Sequence, residues 1–139
     1  MPAVKAFFDT NVLIYAVAQD DPRSTQAEEL LASGGVLSVQ ILNEFVSVAR
    51  RKILMPWSEV TEALDAFRAL CPSPLPITIE MHEAALKITE KHGYTIYDAL
   101  VVAAALDAGC ATLYSEDLRD GQTIDGQLTI RNPFARSSG

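Results

Sequence analysis

Four acidic residues stand where solubility alone does not explain an acid. Asp9 closes the apolar opening of "FFDTNVLIYA", Glu44 lies in "LNEFVSVARRK", Asp98 in "TIYDALVVAAAL", and Asp117 in "LYSEDLRDGQ". Like charges gathered at one place repel and raise one another's pKa values, and a hard divalent cation relieves that repulsion. Mg²⁺ takes oxygen ligands in near-octahedral geometry at about 2.0–2.1 Å and keeps several of its waters. In such a site it can activate water and clamp a phosphoryl group. Asn11 and Ser115 would add neutral oxygens or hold the carboxylates in position.

Each acid also has a plainer reading. Asp9 would serve as the cap of a helix that follows it. Asp98 stands three residues after Thr95, the spacing of a capping box. Asp117 would be an ordinary turn acid. Glu44 falls at the margin of the arc formed by Ile41, Leu42, Phe45, Val46, Val48 and Ala49 on a helical wheel, where a salt bridge would account for it. Arg51 lies seven residues beyond Glu44, about 10.5 Å along the same face at a rise of about 1.5 Å per residue. It would either complement the helix dipole or hold a phosphate. His82 and His92 lack ligand spacing and read as solvated.

The elements that must position these residues follow from the pattern. Val4 to Phe8 predicts a short buried strand, and Asn11 to Ala18 a helix. Asp21-Pro22 reads as a helix start, with Asp as cap and Pro at the first helical position, the helix ending at Gly34-Gly35. Val36 to Ser38 predicts a second strand. Val39 to Ile53 predicts a helix with cations in its last turns, and Ser58 is expected to cap the next, along which Val60, Ala63, Leu64, Phe67 and Leu70 share one face. "CPSPLP" breaks that helix, Leu75 to Thr78 is a candidate short strand, and a further amphipathic helix stops at Gly93. Ile96 to Ala108 is apolar almost all round and predicts a central helix. Cys110 to Tyr114 predicts a strand, and Thr129 to Arg131 a last strand at the edge.

Strands alternating with helices argue an α/β layer fold with a parallel sheet. In such sheets ligands bind beyond the carboxyl ends of the strands. Asp9 ends the first strand, Asp117 follows the strand ending at Tyr114, and Glu44 lies early in the helix after the strand at 36–38. The helix led by Asp98 runs antiparallel to the strand it feeds, so its first turn lies over that strand's carboxyl end. Topology therefore sends all four carboxylates to one rim.

The totals bound the rest. A chain of 139 residues, 49% hydrophobic and 21% charged, fits one globular domain. A single domain over residues 1–134 is expected, with 135–139 as a flexible tail. The longest strictly apolar run, Ala99 to Leu106, is too short to cross a bilayer, and the opening Met-Pro-Ala-Val-Lys has no secretory pattern. Cys71 and Cys110 belong to no ligand cluster and read as reduced core thiols, which suits a cytoplasmic protein. The net charge of −7 is unlike a general nucleic-acid binder. It leaves a substrate other than nucleic acid, acidity concentrated at a cation site, or a basic partner covering an acidic face.

Across nearly the whole chain these segments resemble the PIN-domain family, and in particular the VapC-type toxins of bacterial toxin–antitoxin pairs. "FFDTNVLIYA" is similar to the family's opening strand with its Asp and Asn. "LNEFVSVARRK" is similar to its Glu-bearing helix, and "TIYDALVVAAAL" to its buried helix with a leading Asp. "LYSEDLRDGQTIDGQLTIRNPF" is similar to its closing segment with Ser-x-Asp and a terminal Asn-Pro-Phe. The resemblance implies a three-layer PIN-like fold with a short parallel sheet of about four to five strands. It implies a Mg²⁺- or Mn²⁺-dependent endoribonuclease that is neutralised by a VapB-type antitoxin and often dimeric.

Carried over by position, the site is Asp9, Glu44, Asp98 and Asp117, with Asn11, Ser115 and Glu116 in support. Glu116 and Asp120 flank the fourth acid, and Asp117 is preferred. Ser115 stands where the family often has Thr, and keeps the hydroxyl. The competing enzyme is a phosphatase of the haloacid dehalogenase class with Asp9 as nucleophile. That chemistry needs a second Asp two residues on, where this chain has Asn11. A catalytically inert PIN-like domain that only binds a partner is the non-enzymatic alternative. For an inhibitor, the helices at 22–33 and 58–70 are expected to offer an apolar groove to a partner helix, whose Arg would enter the acidic site.

Overall fold

The computed structural model describes residues 5–134; the expected tail at 135–139 lies outside them. The chain opens with β1 (Ala6–Phe8), buried on both faces, followed directly by α1 (Thr10–Val17). After α2 (Ser24–Ala32), α3 (Val39–Arg51) and α4 (Trp57–Leu70) come α5 (Ile79–His92) and α6 (Ile96–Asp107), then β2 (Thr112–Tyr114), β3 (Thr123–Ile124) and β4 (Leu128–Arg131). The sheet order is β1-β2-β4-β3, with β1, β2 and β4 parallel and β3 antiparallel to β4. This is the α/β fold expected of the sequence.

Two single bridges extend the sheet beyond β1, Phe7 with Val36 and Ser38 with Leu75, both parallel. The strands expected at 36–38 and 75–78 are therefore shortened to one bridge each, for a local reason. Helices begin directly after these bridges: Ser38, bridged to Leu75, also caps α3, its hydroxyl accepting from Ile41 N at 3.3 Å, and Thr78 caps α5, accepting from Met81 N at 3.1 Å. Pro76, next to Leu75, has no N–H to give a ladder.

Three further expectations are corrected. α2 starts at Ser24 rather than at Pro22, because Asp21 is engaged by Arg23 through its backbone N–H and its guanidinium. Pro56, not Ser58, precedes α4. The last strand is not at the edge: β3 folds back on it through Asp125 and Gly126, at φ 53° and 66°. Positive φ at both central residues is what a type I′ turn requires, and Asp-Gly is its sequence signal.

The core is one continuous apolar cluster. Phe7, Phe8, Leu113 and Ile130 of the sheet are buried with Ile41, Phe45, Val102 and Ala105 of α3 and α6. Helix α5 packs chiefly on α6, and α1 to α4 pack on one another. Burial of β1 on both faces follows from this cover. Among the described residues no helix is long and apolar enough to cross a membrane.

Candidate active site

Asp9 occupies two roles by position. It is the N-cap of α1, its Oδ1 accepting from Thr10 N at 2.8 Å, and it is the last residue before the sheet's carboxyl edge. Its Oδ2 accepts from the Ser115 hydroxyl at 2.7 Å. Only 5% of Asp9 is exposed. Burial pushes its carboxyl up to about 6, helped by the nearby charges of Asp117 and Glu44, and the hydrogen bonds from Ser115 and Thr10 pull the other way. The capping role and the place in the site are thus not alternatives.

Ser115 is wholly buried, and its oxygen also accepts from the backbone N–H groups of Asp117 and Leu118, at 3.2 and 3.3 Å. One hydroxyl therefore ties the segment after β2 to Asp9. Asn11 holds the same segment from α1. Its Oδ1 accepts from Glu116 N at 3.3 Å and its Nδ2 donates to Asp117 Oδ2 at 3.4 Å. Glu44 is held at both oxygens, by the Thr10 hydroxyl at 2.7 Å and by Gln40 Nε2 at 2.9 Å. The salt bridge that would explain Glu44 as a surface acid is absent among the described residues, where only Arg23 forms ion pairs.

At the start of α6, Thr95 is the cap: its hydroxyl accepts from Asp98 N at 3.2 Å. The Asp98 carboxyl is raised, first by partial burial, against the Thr95 hydroxyl and with the charges of Asp117 and Glu44 adding to the rise. Asp9, Glu44, Asp98 and Asp117 all line one cleft of about 410 Å³, together with Asn11, Tyr15, Arg51 and Lys52. Arg51 and Lys52, at the end of α3, give that otherwise acidic cleft a basic side.

The flanking acids go elsewhere. Glu116 turns to Tyr15, whose hydroxyl donates to its Oε1 at 2.9 Å, and Asp120 accepts from Asn132 N at 2.9 Å. Neither is among the residues lining the cleft. Three contributors were not singled out from sequence: Thr10 and Gln40, which hold Glu44, and Tyr15. Two had a signal. Thr10 adjoins Asp9, and Gln40 precedes Glu44 by four residues, one turn on the same helical face.

Among the described residues no three His, Cys, Asp or Glu side chains converge tightly enough to enclose an ion. The acids line a cleft wall instead of closing a cage. The donor set nevertheless fits a hard ion. It offers carboxylates and neutral oxygens without thiol or imidazole, and none of the four acids is ion-paired among the described residues. An ion that keeps several waters needs few protein ligands at once.

The PIN-domain family model matches residues 6–121. No curated protein matches. Among solved structures, the chain is similar to VapC20 of Mycobacterium tuberculosis, a toxin that cleaves the sarcin–ricin loop. Identity is 22% and the TM-score 0.65, over 81% of this chain and 90% of that one. It is similar to a toxin–antitoxin complex from Klebsiella pneumoniae at 19% identity and a TM-score of 0.71, over 94% and 98% of the two chains. It is also similar to VapBC2 of Rickettsia felis, bound to a DNA fragment from its promoter. Here identity is 18% and the TM-score 0.64, over 91% and 98%.

Proposed function

The chain belongs to the PIN-domain family, and from that premise we propose that it is a Mg²⁺- or Mn²⁺-dependent endoribonuclease, the toxin of a toxin–antitoxin pair. The observation that carries the reading is the gathering of Asp9, Glu44, Asp98 and Asp117 along one cleft, with no cation of the described chain paired to them. Asp9, Asp98 and Asp117, with Glu44 beside them, would hold the ion. When bound, the ion would lower the pKa of a water and offset charge on the phosphoryl oxygens.

The chain's own residues do the positioning. Ser115 and Thr10 fix Asp9, and Thr10 and Gln40 fix Glu44. Asn11 fixes the Asp117 segment. Arg51 and Lys52 line the same cleft and would hold a neighbouring phosphate of the RNA strand. An acidic chain can then bind a polyanion locally, at the ion and at these two cations. Asn11 carries an amide, which has no proton to exchange near neutral pH and so cannot act as the second acid–base group that an Asp9 phosphatase would require.

Three of the structural relatives are toxins or toxin–antitoxin complexes, and this supports a VapB-type antitoxin as partner; a homodimer is part of the proposal as the family resemblance implies it. Residues 1–134 would form the single catalytic domain. The reading is tested by offering a structured RNA and a small phosphate monoester to the purified protein, each with Mg²⁺ and with EDTA. Mg²⁺-dependent internal cleavage of RNA with an untouched monoester is expected. Monoester hydrolysis would point to a phosphatase, and inertness toward both to a binding domain.

A further inference from the structure

Beside the cleft, Glu116 is held by two residues of α1 and by Arg23. Helix α1 presents Asn11 and Tyr15 four residues apart, on one face. Asn11 takes the backbone N–H of Glu116 at 3.3 Å, and the Tyr15 hydroxyl takes its side chain, donating to Oε1 at 2.9 Å. Arg23 locks Tyr15 in turn. Its Nη1 donates to the Tyr15 oxygen at 2.7 Å, and its guanidinium lies 3.8 Å from the centre of the Tyr15 ring. Arg23 is itself fixed by Asp21 at 2.8 Å, and Nη1 stands 3.7 Å from the second oxygen of Glu116. That oxygen is buried and has no hydrogen-bond partner. The next residue in the chain is Asp117, on the cleft wall.

We propose that Tyr15 and Arg23 are positioning residues, which by gripping Glu116 fix where the Asp117 carboxylate stands in the site. Glu116 then acts through its neighbour and is not itself a metal ligand. The inference rests on the metal-dependent reading above and names how one of its four acids is held. Groups that orient ligands from behind commonly matter about 10–100-fold in metal affinity. Ser115 holds the Asp117 backbone N–H at 3.2 Å, but the residue is exposed and its carboxylate's only described hydrogen bond is the 3.4 Å contact from Asn11.

The test is direct Mn²⁺ binding to the metal-free full chain, followed by electron paramagnetic resonance, with thermal melting in parallel. Tyr15→Phe keeps the ring and removes only the hydroxyl. It should weaken Mn²⁺ binding about tenfold without an equivalent fall in melting temperature. Glu116→Ala should do the same, and the double variant should be no worse than either alone, because both cut one link. Glu116→Gln can still accept from Tyr15 and should stay near wild type. If Tyr15→Phe does not fold, Arg23→Gln asks the same question from the outer end of the chain of contacts. Unchanged Mn²⁺ affinity in the folded variant overturns the proposal, as does a Glu116→Gln defect as large as that of Glu116→Ala, which would make Glu116 a ligand. A wild-type chain that neither binds Mn²⁺ nor cleaves RNA would instead overturn the metal-dependent reading itself.

Discussion

Asp9 shows how one side chain can cap a helix and still be strained by its own burial. It caps α1, yet it is buried, and its carboxyl is pushed up to about 6 from an ordinary 3.8. The folded chain therefore keeps this proton over a range where the unfolded chain has lost it. Asp9's contribution to stability should be greatest below about pH 4, fall as the pH rises to about 6, and level off above. The loss from this group is on the order of 3 kcal/mol. Measured by denaturant unfolding in EDTA, Asp9→Asn should flatten that fall while abolishing RNA cleavage and leaving the helical circular-dichroism signal intact. Asp98 asks the complementary question. Thr95, not Asp98, supplies the cap bond, so Asp98→Asn should melt near wild type and bind Mn²⁺ more weakly. A loss of about 1 kcal/mol, the usual worth of a cap, with unchanged affinity would make Asp98 structural. The four acids were legible because each sits at an element boundary that topology sends to one edge. Thr10, Gln40 and Tyr15 were not, since Thr and Gln beside an acid are common and only side-chain geometry shows which oxygen they reach.

At the scale of elements, what could be read was what is coded locally. α1, α3, α5 and α6 follow from apolar periodicity and from Ser, Thr or Asp caps, and Gly93, at φ 77°, ends α5 as expected. What failed depended on competition. Asp21 was free on paper to cap a helix but is taken by Arg23, and the strands before α3 and α5 are cut short where Ser38 and Thr78 start helices. The hairpin of β3 and β4 was missed although Asp125-Gly126 signalled it. Gly35 reveals another constraint that sequence does not show. A Cβ there would stand 2.5 Å from the Phe8 ring and 2.8 Å from the Ala6 carbonyl oxygen. The segment leading to α3, and so to Glu44, lies against β1 only because that atom is missing. Gly35→Ala should cost about 1–3 kcal/mol by overpacking, read as a lowered denaturation midpoint, and should reduce cleavage by shifting α3. Wild-type stability would mean that the contact relaxes freely.

The whole molecule carries −7 and an acidic cleft, so an inhibitor of that cleft should be cationic where it enters. The predicted docking faces of α2 and α4 are largely spent in the core, where Ala27, Leu31, Val60 and Phe67 are buried. A shallow apolar cleft remains between them, lined by Ala16, Val17, Leu31, Ala63, Phe67 and Leu70, with Leu70 41% exposed. If a partner helix seats there, Leu70→Arg should weaken its binding at least tenfold, about 1.4 kcal/mol, while RNA cleavage by the isolated chain is unchanged. Co-purification with the partner and titration of the complex with Mn²⁺ check this. A complex that forms equally well with the variant would place the interface elsewhere. A partner that leaves both metal binding and cleavage untouched would exclude inhibition at the carboxylates.

The central claim is that this acidic cleft cleaves RNA only with a divalent ion held by its carboxylates. The most direct measurement is the rate of cleavage of a structured RNA against Mn²⁺ concentration, begun in chelator, for wild type and Asp9→Asn. The wild-type rate should start at background, rise with Mn²⁺ and saturate, and the variant should remain at background throughout. Full wild-type cleavage in chelator, or a normal saturating rise in Asp9→Asn, would contradict it.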